Sequence, residues 1–426
     1  MKKFLKKLRL NKIFVFISIL FVCASLSFYS GAIHILHHQG HSLFTVSHSQ
    51  PPLNHYQESW LSRLLISYQS LKEILMKIRH NPPTFKYKNV NTNHINPKKT
   101  FTGYTLLTHY GKAEIILVDM NGDIVHSWYQ SPHKMFNYAI NNEIVARSAE
   151  LLPDGSIICI YESTYNTPYG VGIACLDKNS KVLWKKPINA HHSHIYDPDK
   201  GTIVLTHREI MHKDTPILED EITFLNLNGK LLDSIAISDL FVNTSYENFI
   251  PQKRYDYLHA NSIEFIHTPF KLGNLQINKK DILISLRNIN VIAILDYNTL
   301  KVKWAIKDRS KMQHSPTQTT NGDILIFDNL GNISNINNFK GISRIITINP
   351  QSLEQTWIYQ QTNSLSSISA LAGSNAQALP NLNVLACISN SKIIEISQEK
   401  EVVWQLNFPV IFAKRYPLKS ISYSNQ

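Results

Sequence analysis

ILDYNTLKVKW, residues 294–304, holds an apolar strand, a polar turn and a second strand ending in tryptophan. The same frame recurs along the chain. It reads LVDMNGDIVHSW at 117–128, CLDKNSKVLW at 175–184, TINPQSLEQTW at 347–357 and EISQEKEVVW at 395–404, with a copy lacking the tryptophan, FLNLNGKLLDS, at 224–234. Trp304, Trp357 and Trp404 are 53 and 47 residues apart, a period that belongs to radial or stacked repeats. The wider intervals between earlier copies hold loop insertions. A second frame alternates with the first: SAELLPDGSIICI (148–160), SPTQTTNGDILIF (315–327) and NAQALPNLNVLAC (375–387). Each is a strand, a tight turn and a strand. Two hairpins per unit make about four strands, and six units predict an all-β, six-bladed propeller over residues 101–417, in which radial repetition leaves few exposed edges. Each tryptophan is expected to pack between neighbouring blades, a structural role.

Outward from the repeats, the composition fits a folded domain. Hydrophobic residues make up 43% of the 426 and charged residues 17%, enough for a large core and unlike a disordered chain. The formal charge is +12, of which six units come from Lys2, Lys3, Lys6, Lys7, Arg9 and Lys12. The remaining +6 is spread without a dense basic run, which argues against nucleic acid as a partner. After that basic tail (1–12), residues 13–36, IFVFISILFVCASLSFYSGAIHIL, carry no acidic, Lys or Arg side chain. Such a run is long enough to cross a bilayer. Its basic flank keeps the N-terminus in the cytoplasm and exports the rest, so the expected location is a single-pass membrane protein with its main domain on the periplasmic side. The competing reading is a cleaved signal peptide, with Ser30-Gly31-Ala32 as the small-residue site. Residues 37–100 form a linker. Within it, residues 56–79 repeat apolar side chains at helical spacing (Trp60, Leu64, Leu65, Tyr68, Leu71, Leu75, Ile78) and predict an amphipathic helix. Residues 418–426 form a C-terminal tail. Cys159, Cys175 and Cys387 lie in apolar strand-like runs without metal-ligand spacing; they are expected as buried thiols, a Cys159–Cys175 disulfide being the alternative.

Inner strands of a propeller line its channel, and the residues at their starts gather at one mouth. Six positions before the Pro of the second frame, or its equivalent, stand Arg147, His192, His314 and Ser374; the copy with the long loop, YDYLHANSIEFI (255–266), opens with His259. Three histidines at one phase in three blades converge. They suit a zinc, copper or iron site, or covalent catalysis with one imidazole as nucleophile and the others managing protons. Asn261 adds a neutral donor beside His259. DILISLRN (281–288) brings Arg287, whose fixed charge opposes a cation and suits a sulfate or phosphate gripped by paired hydrogen bonds. The site therefore reads as an anion-transfer site with no metal and no cofactor, although Arg287 pairing only with loop carboxylates or carbonyls is a competing, purely structural reading.

The segments DYLHANSIEF (256–265), DILISLRNINVIAILD (281–296), QHSPTQTTNGDILIFDN (313–329), SRIITINP (343–350) and NAQALPNLNVLA (375–386), in this order, resemble bacterial arylsulfate sulfotransferases, and the resemblance runs over roughly residues 101–417. It implies a six-bladed propeller that moves a sulfuryl group from a phenolic sulfate to a phenol without a nucleotide donor. By motif, the Q-H pair implies His314 as the transiently sulfated nucleophile. H-x-N implies His259 and Asn261, S-x-R implies Arg287, and the HH pair implies His191 and His192, of which the phase alignment favours His192. The implied mechanism is ping-pong. Arg287, His192 and Asn261 steady the sulfuryl oxygens, while His259 acts first as acid and then as base. This chain departs from the family where a short helix and linker replace a longer N-terminal β-domain, so dimerisation through such a domain is not carried over and the oligomeric state stays open. Rival readings are an envelope propeller that only binds proteins, which needs no histidines and arginine in its channel, and an aryl sulfate hydrolase using the same residues with water. A quinone-dependent dehydrogenase would need acidic calcium ligands that the sequence does not place.

Overall fold

The third and fourth strands of each repeat pair across a turn fixed by one side chain. Asp119, Asp177, Asn226, Asp296 and Asn349 each accept backbone N–H groups two to four residues on, at 2.8–3.0 Å. The Ser397 hydroxyl accepts the Glu401 N–H in the sixth copy. These Asx and ST turns are the physical content of the repeated D/N-x-N-G pattern.

The computed structural model describes residues 90, 92–137, 143–164, 169–212, 215–331, 342–360 and 368–418. They form six antiparallel blades around a central channel. Strand β1 (Thr92–Ile95) comes first. Blade I contains β2 (Gly103–His109), β3 (Ile115–Val118) and β4 (Ile124–Trp128). Blade II contains β5 (Ile144–Leu151), β6 (Ile157–Ser163), β7 (Gly170–Leu176) and β8 (Val182–Lys186), and blade III β9 (Ala190–Asp197), β10 (Gly201–His212), β11 (Thr215–Leu225) and β12 (Leu231–Ala236). In blade IV, β13 (Ala260–Phe265) is followed by a small hairpin, β14 (Phe270–Leu272) and β15 (Leu275–Ile277), before β16 (Ile282–Leu286), β17 (Val291–Leu295) and β18 (Val302–Lys307). Blade V is β19 (His314–Gln318), β20 (Ile324–Asp328), β21 (Arg344–Ile348) and β22 (Gln355–Tyr359). Blade VI is β23 (Asn375–Ala378), β24 (Val384–Ile388), β25 (Lys392–Ile396) and β26 (Val402–Asn407), and β27 (Val410–Pro417) ends the chain's described part.

Two connections go beyond the sequence reading. β27 does not follow blade VI outward; it pairs with β2 from Gly103↔Pro417 to His109↔Val410 and becomes the innermost strand of blade I. The ring is thus closed by joining the two ends of the domain. β1, in a stretch expected to be plain linker, adds a fifth strand outside β26. The anchor at 13–36 and the helix at 56–79 lie outside the described residues, and among the described residues no helix is long and apolar enough to cross a membrane.

The core is a ring. Among the described residues, six hydrophobic clusters each join one pair of adjacent blades, from Leu117 with Ile157 between blades I and II to Leu107 with Trp404 between VI and I. The middle strands are squeezed between two neighbours. That is why IICIYES, ILISL, ILIFD and VLACI are buried along their whole length and read as continuous apolar runs. The inner strands AHHSHIYD, HSPTQ and NAQA are polar because they face the channel. Cys159, Cys175 and Cys387 are buried free thiols. Cys159 pairs across the sheet with Ala174, and Cys175 with Ile158, so the two point to opposite faces and serve different inter-blade clusters; no disulfide joins them.

Candidate active site

Where the inner strands begin, they are irregular. Arg147 is an extra residue opposite β6, Asn261 opposite β16, residues 191–193 face Leu205 alone, and residues 315–316 face Ile326 alone. Such bulges re-aim side chains. His192, His259, Ser315 and Ser374 also adopt the left-handed conformation, with φ of 56°, 51°, 48° and 76°, a costly backbone for residues other than glycine that concentrates at functional sites. The residues aligned from the turns therefore share a structural device as well as a phase.

His314 is 3% exposed and its tautomer follows from its neighbours. The Asn329 amide donates to the carbonyls of Ala370 (2.8 Å) and Gly373 (3.0 Å), which leaves Asn329 Oδ1 as an acceptor 2.7 Å from His314 Nδ1. Nδ1 thus carries the proton. Nε2 carries the lone pair and accepts the Gly373 N–H at 3.1 Å. Burial, then the positive charges of Arg287 and Arg147, holds His314 well below the usual imidazole range, so it is neutral at pH 7. His192 is lowered likewise by burial, Arg147 and His259. Its ring stands edge-on to His259, with centroids 4.9 Å apart. His259 Nδ1 lies 2.6 Å from the Asp256 carboxylate. Burial alone would raise Asp256, but the charge and hydrogen bond of His259, with Arg287, hold it at about 2. Tyr169 packs edge-on against His192, His207 and His259.

Arg287 is 4% exposed. Nη1 donates to Asn288 Oδ1 at 2.8 Å, and among the described residues Nε has no acceptor and no carboxylate comes within ion-pair distance. Burial lowers it to about 10, which leaves it charged. A buried guanidinium with an unmet donor is costly unless an anion meets it. Arg147 lies 3.4 Å from Glu162, which also accepts the His192 backbone N–H at 2.5 Å. The sequence-predicted set thus divides. His192, His259, His314 and Arg287 act on one another across the channel. Asn261 donates its amide to the Gln313 carbonyl at 2.8 Å, so that amide holds the backbone next to His314 instead of facing an anion. His191, 2% exposed, sits 3.2 Å from Asp220 and stacks on His207. Asp256, Asn329, Glu162, Tyr169, Asp220 and His207 were not picked from sequence. Asp256, three residues before His259, offered a local signal; the rest come together only through the ring.

His191, His207 and Asp220 offer ligand atoms within 4.8 Å of one another. The two imidazoles are stacked at 4.4 Å and 26°, so their in-plane lone pairs run side by side and do not converge on one ion.

Solved structures resemble the chain at low identity. A protein of unknown function from Bacteroides caccae is 14% identical, with 74% of this chain and 98% of that one covered and a TM-score of 0.49. Virginiamycin B lyase from Staphylococcus aureus is 12% identical over 77% and 88% (TM-score 0.40), and Kuenenia stuttgartiensis hydrazine synthase 9% identical over 75% and 80% (TM-score 0.43). None of these bears on the chemistry of this chain. No curated protein matches it. The family model described as arylsulfotransferase (ASST) matches residues 148–409, which span blades II to VI apart from the first residues of β5 and include His191, His192, His259, Asn261, Arg287 and His314; the chain belongs to the arylsulfotransferase family.

Proposed function

We propose that the channel transfers a sulfuryl group between phenols through His314. The observation that carries this reading is a neutral, buried imidazole with a defined lone pair on Nε2 beside a buried guanidinium that has no carboxylate within ion-pair distance among the described residues. Nε2 attacks the sulfur of an aryl sulfate in line, the S–O(aryl) bond breaks, and the phenolate takes a proton from His259 as it leaves. The acceptor phenol then loses its proton to His259, its oxygen attacks the same sulfur, and the N–S bond breaks to return His314. Arg287 and His192 donate to the sulfuryl oxygens, and the Asp256 carboxylate holds His259 by its Nδ1–H so that Nε2 faces the substrate. The Gly373 N–H occupies the His314 lone pair and must give way before attack. Residues 13–36 anchor the domain outside the cytoplasm in this proposal, supported by their length and basic flank.

The test is release of a chromogenic phenol from its sulfate by the full chain, with and without an acceptor phenol. Acceptor-dependent release with ping-pong kinetics is expected. His314→Asn should lower kcat by about 1,000-fold or more, a nucleophile-sized loss, with the fold kept by circular dichroism. Release indifferent to acceptor would make the protein a hydrolase. Turnover retained in His314→Asn would remove the nucleophile.

A further inference from the structure

His191 and Asp220 lie behind the channel wall, one step removed from the reacting groups. β9, β10 and β11 set His191, His207 and Asp220 in a row across blade III, with His207 and Asp220 directly paired. His191 Nε2 is 3.2 Å from Asp220 Oδ1, off the ideal hydrogen-bond axis. Asp220 Oδ2 accepts the Ala260 N–H at 3.0 Å and so ties the row to the start of blade IV's inner strand. On its other side, His191 Nδ1 meets His192 Nδ1 at 3.0 Å. Two ring nitrogens at that distance share one proton, because two lone pairs would repel. We infer that Asp220 and His191 are positioning residues that fix His192 as the tautomer protonated on Nε2, so that it presents an N–H donor to the transferred group; the functional part of this rests on the sulfuryl-transfer reading.

The choice of donor follows from charge. His192 stands among Arg147, His259 and His314, and although the Glu162 carboxylate lies 3.6 Å from its Nδ1, burial and these neighbours oppose a further positive charge. His191 stands between the Asp220 carboxylate and Glu162, with neutral His207 stacked on it. Burial would lower His191, but the adjoining Asp220 carboxylate outweighs it and raises the group. The proton on the shared axis therefore belongs to His191, which donates Nε2–H towards Asp220 and Nδ1–H to His192. The His192 main chain is held by its N–H bond to Glu162, and its ring by edge contacts with His259 and Tyr169. Its only remaining proton is on Nε2. The opposite tautomer would aim a lone pair at the oxygens that gain charge.

The test uses the full chain labelled with ring-15N histidine, the His192 signals being assigned by their loss in His192→Gln. Long-range proton–nitrogen correlations in the wild type should show a neutral His192 protonated on Nε2 and a doubly protonated His191. His191→Phe keeps the stack on His207 but donates nothing. It should release the His192 tautomer and lower kcat by about 10- to 100-fold with KM within about 3-fold, as for other groups that orient a catalytic imidazole. His191→Gln, whose amide still donates, should recover most of that loss, and Asp220→Asn should fall between. An unchanged His192 tautomer in His191→Phe would overturn the inference. So would a stoichiometric metal ion lost in His207→Ala. If the wild type transfers no sulfuryl group but the tautomer responds as stated, the positioning stands and the sulfuryl-transfer reading fails.

Discussion

Asp256 is the residue whose contribution is most separable from folding. It is held at about 2 and touches His259 Nδ1 at 2.6 Å, so it stays ionised throughout the useful pH range. Asp256→Asn keeps the shape but replaces the charged acceptor, and kcat should fall by about 10- to 100-fold while the thermal midpoint hardly moves; equal kcat in the variant would show that His259 needs no such partner. Arg287 is buried and keeps its charge. Its place after a strand of blade IV suggested an anion grip, and a structural ion pair was the rival. The structure provides no carboxylate partner within reach among the described residues. Asn261 carried equal weight in the motif, yet its amide is spent on the Gln313 carbonyl, because the residue before His314 lies in the neighbouring blade and only the assembled ring brings it near.

At the scale of elements, the outer hairpin explains why tryptophan recurs. The indole of Trp404 donates to the Met120 carbonyl at 2.8 Å and that of Trp357 to the Gln398 carbonyl at 3.3 Å, each the second residue of the next blade's turn. Trp184 lies flat against Gly229 in the turn of blade III. In blade I this position belongs to His126, which pairs with Leu117 as Trp184 pairs with Cys175, and which reaches the Lys178 carbonyl at 2.7 Å. Trp128, taken from the sequence as the first member of the series, lies two residues further along. Blade III has Asp233 there instead, and its seam is sealed from the other side, where Tyr297 of the next turn bonds to Asp197 and Lys200 sits 4.2 Å from its ring. A two-residue slip keeps side-chain direction in a strand, which is why the eye accepts Trp128. Trp404 is fully buried, with the Arg415 guanidinium 4.5 Å from its ring. Trp404→Ala should cost about 3–5 kcal/mol, the range for deleting a buried indole, measured by denaturant unfolding; a loss below about 1 kcal/mol would mean that blades VI and I do not depend on this contact.

Across the whole molecule, the channel imposes a pH dependence on stability. Burial holds His194 at about 3 and His207 at about 2, and lowers His192 and His314 well below the ordinary value. In the unfolded chain each takes up a proton near pH 6.5. Below that pH the unfolded state binds more protons, so stability falls as pH falls, by up to about 1.4 kcal/mol per unit for each such histidine. His191 acts oppositely, its raised value favouring the folded state below pH 6.5 and losing that contribution as pH rises through it. Thermal midpoints at pH 7, 6 and 5 should therefore decline on acidification, and a rising midpoint would refute the neutral histidine cluster. Much of this was legible beforehand. Strand periodicity, turn chemistry and the 47- and 53-residue spacings are local properties, set by backbone sterics and by the alternation of apolar and polar side chains, and from them the chain fixed six blades, their hairpins and the phase of Arg147, His192, His259 and His314. What only the tertiary structure decided depends on contacts between residues far apart in sequence: β27 closing on β2 across more than 300 residues, His126 standing in for a tryptophan, Asn329 setting the tautomer of His314, and Asp220 reaching His191. No local pattern encodes these, because their geometry exists only once six wedges have closed into a ring and turned their polar inner strands towards one axis.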